Sequence, residues 1–272
     1  MHRRRHLTIS WSAVLALALS LIATGGSSVW PSVAAAASDA TPPTVYSPVV
    51  RFRPLVTFGS YPQVSITIVG RDAGSGMGGT PQWAVSRNGG AFNRLTPTSS
   101  TTTWSDISNG VPHTAAVVIY RTLVLAGTYR FAGRMFDRAG NASRWVYGPT
   151  ISPRIIQETA TNIIYSDGWI RANNNLWSWE ETGGTGEIAT MNVYARAFAW
   201  VSSQGADKGE AEVWVDGRYV KTVNLYRLQP LASRTTMFTK TWSATGLHTV
   251  RIVVLGTPGH PVVDIDAFLV LR

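Results

Sequence analysis

Apolar and polar side chains alternate with period two through most of this chain, and no long stretch keeps the 3.6-residue apolar period of an amphipathic helix. Short runs rich in Val, Ile, Thr, Tyr and Trp are separated by Gly, Asn, Asp and Pro, the composition of strands punctuated by turns. The pattern predicts an all-β protein made of two β-sandwiches. The first block, residues 41–153, offers "PQVSITIVG", "PQWAVSRNGGAFNRL", "TAAVVIYRTL" and "GTYRFAGRMFDRAGNASRW". Asn88-Gly89-Gly90 joins two alternating runs with residues that tolerate the left-handed backbone of a hairpin turn. In the last segment Tyr129, Phe131 and Met135 fall on one face of a strand and Ala132, Arg134 and Phe136 on the other.

Residues 154–162 read as a connector, and residues 163–272 as a second block of ordinary domain size. Here "KGEAEVWVDGRYVKTVNLY" carries Asp216-Gly217, a two-residue hairpin signal. Pairing Val215 with Arg218 places Trp214 opposite Tyr219, Val213 opposite Val220 and Glu212 opposite Lys221, so one register gives an aromatic pair, an apolar pair and an ion pair. "GLHTVRIVVLG" supplies another strand and "VVDIDAFLVL" the last. On an unbroken final strand Val263, Ile265, Ala267, Leu269 and Leu271 point one way. Asp264 and Asp266 then share the other face with Phe268 and Val270, their carboxylates roughly 7 Å apart.

The 272 residues are 44% hydrophobic and 14% charged, a composition that supports real cores. The chain starts basic, runs apolar from Trp11 to about Ala23 and continues into small residues at 34–37. That is the order of a secretory signal peptide over residues 1–37, and it predicts export, with the apolar stretch too short for a comfortable transmembrane anchor. There is no cysteine, so the fold has no disulfide and no thiolate chemistry. The net charge of +9 is uneven. Residues 39–159 hold 11 basic and 5 acidic side chains, whereas residues 160–272 hold 10 of each. A basic first block is drawn to anionic wall polymers or acidic glycans, or is simply a soluble surface. With neither a basic helix nor a zinc-ligand set, nucleic acid is not an expected partner.

The words "GTYRFAGRMFDRAGN" and "RDAGSGMGG" resemble those of bacterial immunoglobulin-like or fibronectin type III-like modules. The resemblance implies that Tyr129 sits at a structural corner, that Asp137 and Asn141 hold a turn, and that the block acts as a spacer or docking module. In the second block, "GEAEVWVDGRYVKTVNLY", "TKTWSATGLHTVRIVVLG" and "PVVDIDAFLVL" follow one another as they do in galactose-binding-like jelly-roll modules. These are non-catalytic carbohydrate-binding domains, often appended to secreted hydrolases. By that resemblance an acidic residue on the final strand, here Asp266, helps hold a structural Ca2+. The residues themselves leave two readings for the aspartates, hydrogen bonds to neighbouring loops or calcium, with an acid/base pair a third.

Candidate ligand groups cluster in "DGWIRANNNLWSWEETGG", where Trp169, Trp177 and Trp179 accompany Asn173, Asn175 and Glu180. Sugar rings lay apolar faces on indoles and offer hydroxyls to amides and carboxylates, so the mixture suits a glycan, although tryptophans also fill sandwich cores. Tyr226 and Arg227 in "NLYRLQPLASR" form a second candidate rim. No G-x-S-x-G, H-E-x-x-H or phosphate-cradling motif is present. The expectation is a secreted, non-enzymatic protein whose partner is a polysaccharide. The alternatives are a structural or adhesive protein that contacts cell-wall polymer or surface protein, and a small hydrolase using Asp264 and Asp266.

Overall fold

The structure, a computed structural model, describes residues 39–174, 178–228 and 232–272. The expected signal peptide, Asn175 and Trp177 lie outside these residues. Residues 39–272 form one compact unit. It is all-β, and no helix occurs among the described residues.

Among the described residues, nine strands precede residue 152: β1 (Thr44–Val45), β2 (Val49–Phe52), β3 (Gln63–Arg71), β4 (Met77–Arg87), β5 (Asn93–Leu95), β6 (Ser100–Ser108), β7 (Val111–Thr122), β8 (Tyr129–Asp137) and β9 (Val146–Ile151). They make two sheets, one in the order β1-β3-β7-β6 with β2 also on β3, the other β5-β4-β8-β9. The alternation read from "QVSITIVG" is realised: Val64, Ile66 and Ile68 of β3 are buried while their neighbours are only half-buried. They face Trp83, Phe131 and Met135 from the other sheet in one apolar core. The Tyr129 hydroxyl accepts from the Val124 amide at 3.0 Å and donates to the Val124 carbonyl at 3.1 Å, tying the corner before β8. Asp137 accepts from the Asn141 backbone and side-chain amides, each at 2.7 Å, and so holds the turn after β8.

Ten strands come after them: β10 (Pro153–Gln157), β11 (Ile163–Tyr165), β12 (Ile170–Asn173), β13 (Ser178–Thr182), β14 (Ile188–Gln204), β15 (Glu210–Val215), β16 (Arg218–Asn224), β17 (Ala232–Val254), β18 (Val263–Ile265) and β19 (Ala267–Leu271). A large sheet runs β10-β19-β14-β17-β15-β16 with β11 on β14, and a small one runs β12-β13-β18. Residues 153–157, mostly within the expected connector, are therefore strand, paired residue for residue with β19. The two blocks also share apolar contacts. Ala197, Ala199 and Val201 of β14 and Ala267, Leu269 and Leu271 of β19 join the first core, whereas Phe198, Trp200, Phe268 and Val270 belong to the second. A sheet buried on both faces reads as continuous apolar sequence, which is why "AFAWV" and "AFLVL" do not alternate.

Two registers differ from the sequence reading. Asp216 (φ 51) and Gly217 (φ 74) turn the hairpin, and Val215 meets Arg218 and Trp214 meets Tyr219 as expected. A bulge then shifts the ladder by one, so Val213 pairs with Lys221 and Glu212 with Thr222. The expected Val213–Val220 and Glu212–Lys221 pairs are not formed. The final strand is also broken, since Asp266 belongs to neither β18 nor β19. Val263 and Ile265 consequently share the second core with Phe268 and Val270, while Ala267, Leu269 and Leu271 turn to the first. A single irregular residue inverts the faces of everything beyond it.

Candidate functional site

Trp179 lies on β13, opposite Ala172 of β12. Its Nε1 donates to Glu181 Oε2 at 2.8 Å, and that carboxylate pairs with Lys208 Nζ at 3.2 Å. Residues two apart on a strand share a face, so Glu181 accompanies the indole and Glu180 points away. Glu180 instead pairs with Arg171 Nε at 3.1 Å across the β12–β13 ladder. Asn173 ends β12, paired with Ser178. The Trp/Asn segment therefore contributes Trp179 and Glu181 to one surface and Glu180 to the other. Trp169, its first tryptophan, is buried in the second core against the Tyr165 ring.

The loop carrying Lys208 connects this surface to the second expected rim. Gly205 bridges to Tyr226, and its carbonyl accepts from the Arg227 amide at 3.0 Å. Lys208 bridges to Val262, and the Gly209 amide donates to the Val262 carbonyl at 2.8 Å. Tyr226 is 40% exposed and its ring lies 4.6 Å from that of His260. Arg227 is exposed beside it. Trp179, Glu181, Tyr226 and His260 are thus linked through one loop, Gly205 to Gly209. Sequence reasoning missed Glu181, Lys208 and His260; the signal available for Glu181 was its i, i+2 relation to Trp179.

The two aspartates lie on β18 and just after it, the strand that pairs with β13. Asp264 is buried and faces Glu181 in the β13–β18 register. It accepts from the Ser202 hydroxyl, from the Ser203 hydroxyl at 2.6 Å and from the Ser203 amide at 3.1 Å. Burial pushes its carboxyl above the usual range, against the attraction of Lys208 and these hydrogen bonds. Asp266 is also buried, and its Oδ2 lies 3.0 Å from Arg234 Nε. Burial raises its carboxyl to about 6, again against the pull of its cation. Arg234 in turn lies over the ring of Phe58 at 5.0 Å, and the Phe58 amide donates to the Arg234 carbonyl. Asp266 is therefore one end of a contact joining the two blocks. Asp266 thus has Arg234 as its partner, Asp264 has Ser202 and Ser203, and both carboxylates are withdrawn from water.

A different acidic group occurs in the first block. Asp39, Asp72 and Asp137 each bring a carboxylate oxygen within 4.8 Å of the others, and Asp72 and Asp137 are buried. Asp39 accepts from the Ser75 and Thr41 amides, which hold its carboxyl below the usual range, and Asp72 accepts from the Gly76 amide at 2.6 Å.

No family model matches this chain. A stretch of 139 residues, 49% of the chain, is 27% identical to an A type blood N-acetyl-alpha-D-galactosamine deacetylase of Flavonifractor plautii, and it covers 17% of that enzyme. Among solved structures, the CBM36-1 domain of a multidomain xylanase from the hindgut metagenome of Trinervitermes trinervoides matches 44% of this chain and 96% of its own length, with 18% identity and a TM-score of 0.33. A family 35 carbohydrate binding module from Clostridium thermocellum matches 44% and 97%, with 16% identity and a TM-score of 0.29. A SusE-like protein covers 82% of this chain and 95% of its own, also at 16% identity and a TM-score of 0.29. Scores this low carry no functional assignment.

Proposed function

We propose that this chain is an exported, non-catalytic binding protein whose second block holds a glycan against Trp179 and Tyr226. The observation that carries the reading is the hydrogen-bonded series Trp179–Glu181–Lys208, joined by the Gly205–Gly209 loop to the Tyr226–His260 ring pair. It supplies what a sugar needs: aromatic faces for its C–H faces, and fixed carboxylate and imidazole edges for its hydroxyls. Arg227 and Asn173 stand exposed at the margins.

The aspartates favour binding over turnover. Asp264 and Asp266 are buried and engaged by Ser202, Ser203 and Arg234. The first block serves as the body against which the large sheet packs. A glycan-array screen of the protein, run in calcium and in chelator, tests the reading. Retention of at least one polysaccharide class is expected, and loss of the signal in chelator would add a structural Ca2+ to the site. Retention of no glycan in either buffer would overturn the proposal.

A further inference from the structure

The first block carries a cavity of about 340 Å3 on the outer face of the β5-β4-β8-β9 sheet, remote in sequence from the surface described above. Its floor is set by register. Ala84 of β4 pairs with Ala132 of β8, and these two small side chains stand in a row between Arg94 of β5 and Tyr147 of β9. In the next row Gln82 pairs with Arg134, and beyond the alanines Ser86 pairs with Arg130. A depression results because methyl groups occupy the middle of the sheet while long side chains rise on every side.

The walls are aromatic, with Arg94 the lining cation, and Arg130 and Arg134 stack behind the lining rings of Tyr147 and Trp145. Phe92 and Tyr147 meet edge-to-face, with ring centroids 5.0 Å apart. Arg134 lies over Trp145 at 5.2 Å and over Phe136 at 5.6 Å, and Arg130 lies over Tyr147 at 5.2 Å. Each guanidinium is oriented through Nε: Arg134 donates to Gln82 Oε1 at 2.8 Å and Arg130 to the Gly148 carbonyl at 3.0 Å. Among the described residues no carboxylate pairs with Arg94, Arg130 or Arg134. Stacked, oriented guanidinium groups without a protein anion present the paired N–H edge that a carboxylate accepts.

We infer that this cavity is a second ligand site, independent of the one in the second block, and that it takes a carboxylated sugar residue of an acidic polysaccharide. The sugar ring lies against Trp145 or Tyr147 and its carboxylate meets Arg94, with the Arg134 guanidinium stacked behind Trp145. The volume falls within the range of small-molecule sites. Charge complementarity favours an acidic over a neutral sugar, since residues 39–159 hold 11 basic and 5 acidic side chains.

Titration of the protein with an oligogalacturonate, and with the same oligomer methyl-esterified, followed by calorimetry, tests this. Expected are saturable binding of the acid form, at least tenfold weaker binding of the ester, and a further loss of at least tenfold in Arg94→Gln, a change at an exposed edge that leaves the core untouched. Arg134→Gln, which removes the guanidinium stacked behind Trp145, is expected to weaken binding severalfold. Trp179→Ala is expected to leave uronate binding unchanged, which separates this site from the proposed glycan surface. Equal affinity for acid and ester, affinity only for a sulfated chain, no binding at all, or indifference of both arginine variants would overturn the inference.

Discussion

Asp266 and Arg234 lie at the junction of the blocks, and the cost of burying that carboxylate makes a pH-dependent prediction. Its carboxyl is raised to about 6 in the fold, against an ordinary 3.8. Between those values the native state holds more protons than the unfolded chain, so stability falls as pH rises through the window and levels off above about 6. Asp264, raised in the same direction, adds to the slope. Asp266→Asn should give a shallower decline in denaturant midpoint between roughly pH 4 and 6 than the native protein shows. An unchanged slope would mean that Asp266 is not the titrating group. Lys208 makes a second case. It is buried against Glu181 and attracts Asp264. Lys208→Met leaves these carboxylates without their cation and should cost about 3 kcal/mol in urea unfolding at pH 7, the scale on which a broken buried pair destabilises. Hydrogen bonding was one of the roles the sequence left open for the aspartates, but their partners were not legible from it. The "VVDIDAFLVL" run showed that the strand was buried, but a guanidinium delivered by β17, some thirty residues away, leaves no trace in local spacing.

Elements were read well where the determinants were local. Asn88-Gly89 and Asp216-Gly217 do turn hairpins, because Asn, Asp and Gly tolerate the positive φ that such turns need. Gly217→Ala places a side chain at φ 74 and should destabilise the protein by roughly 1 kcal/mol. Thermal unfolding of this variant checks the value, and an unaltered midpoint would show that the turn relaxes. Register beyond the turns was only partly legible. The bulge after Trp214 and the break at Asp266 each insert one residue without any compositional mark, and each exchanges the two faces of the strand beyond it. The same parity problem exchanged Glu180 for Glu181 beside Trp179. The Ala84–Ala132 floor was illegible for another reason: its residues come from strands that adjoin only through the sheet order.

At the scale of the whole molecule, β14 and β19 of the large sheet are apolar on both faces around Ala197–Val201 and Ala267–Leu271 and belong to two cores at once. Leu269 of β19 packs in the core that β3 and β8 build, while Phe268 beside it packs with Phe198 in the other. The sequence reading of two sandwiches divided by a connector catches the strand content, but it could not reveal that residues 153–157 pair with the chain's last strand. Leu269→Ala should cost about 2–5 kcal/mol and shift a single unfolding transition, because the blocks share its core. Calorimetry resolving two transitions, with only one shifted, would contradict this coupling.

The central claim, that the second block binds a glycan through Trp179 and Tyr226, is tested most directly by titrating the native protein, Trp179→Ala and Tyr226→Ala with the strongest glycan retained on the array. The account predicts measurable affinity for the native protein and a loss of at least tenfold in each variant, with folding intact by circular dichroism. Undiminished affinity in both variants would contradict it and would move the binding surface elsewhere on the molecule.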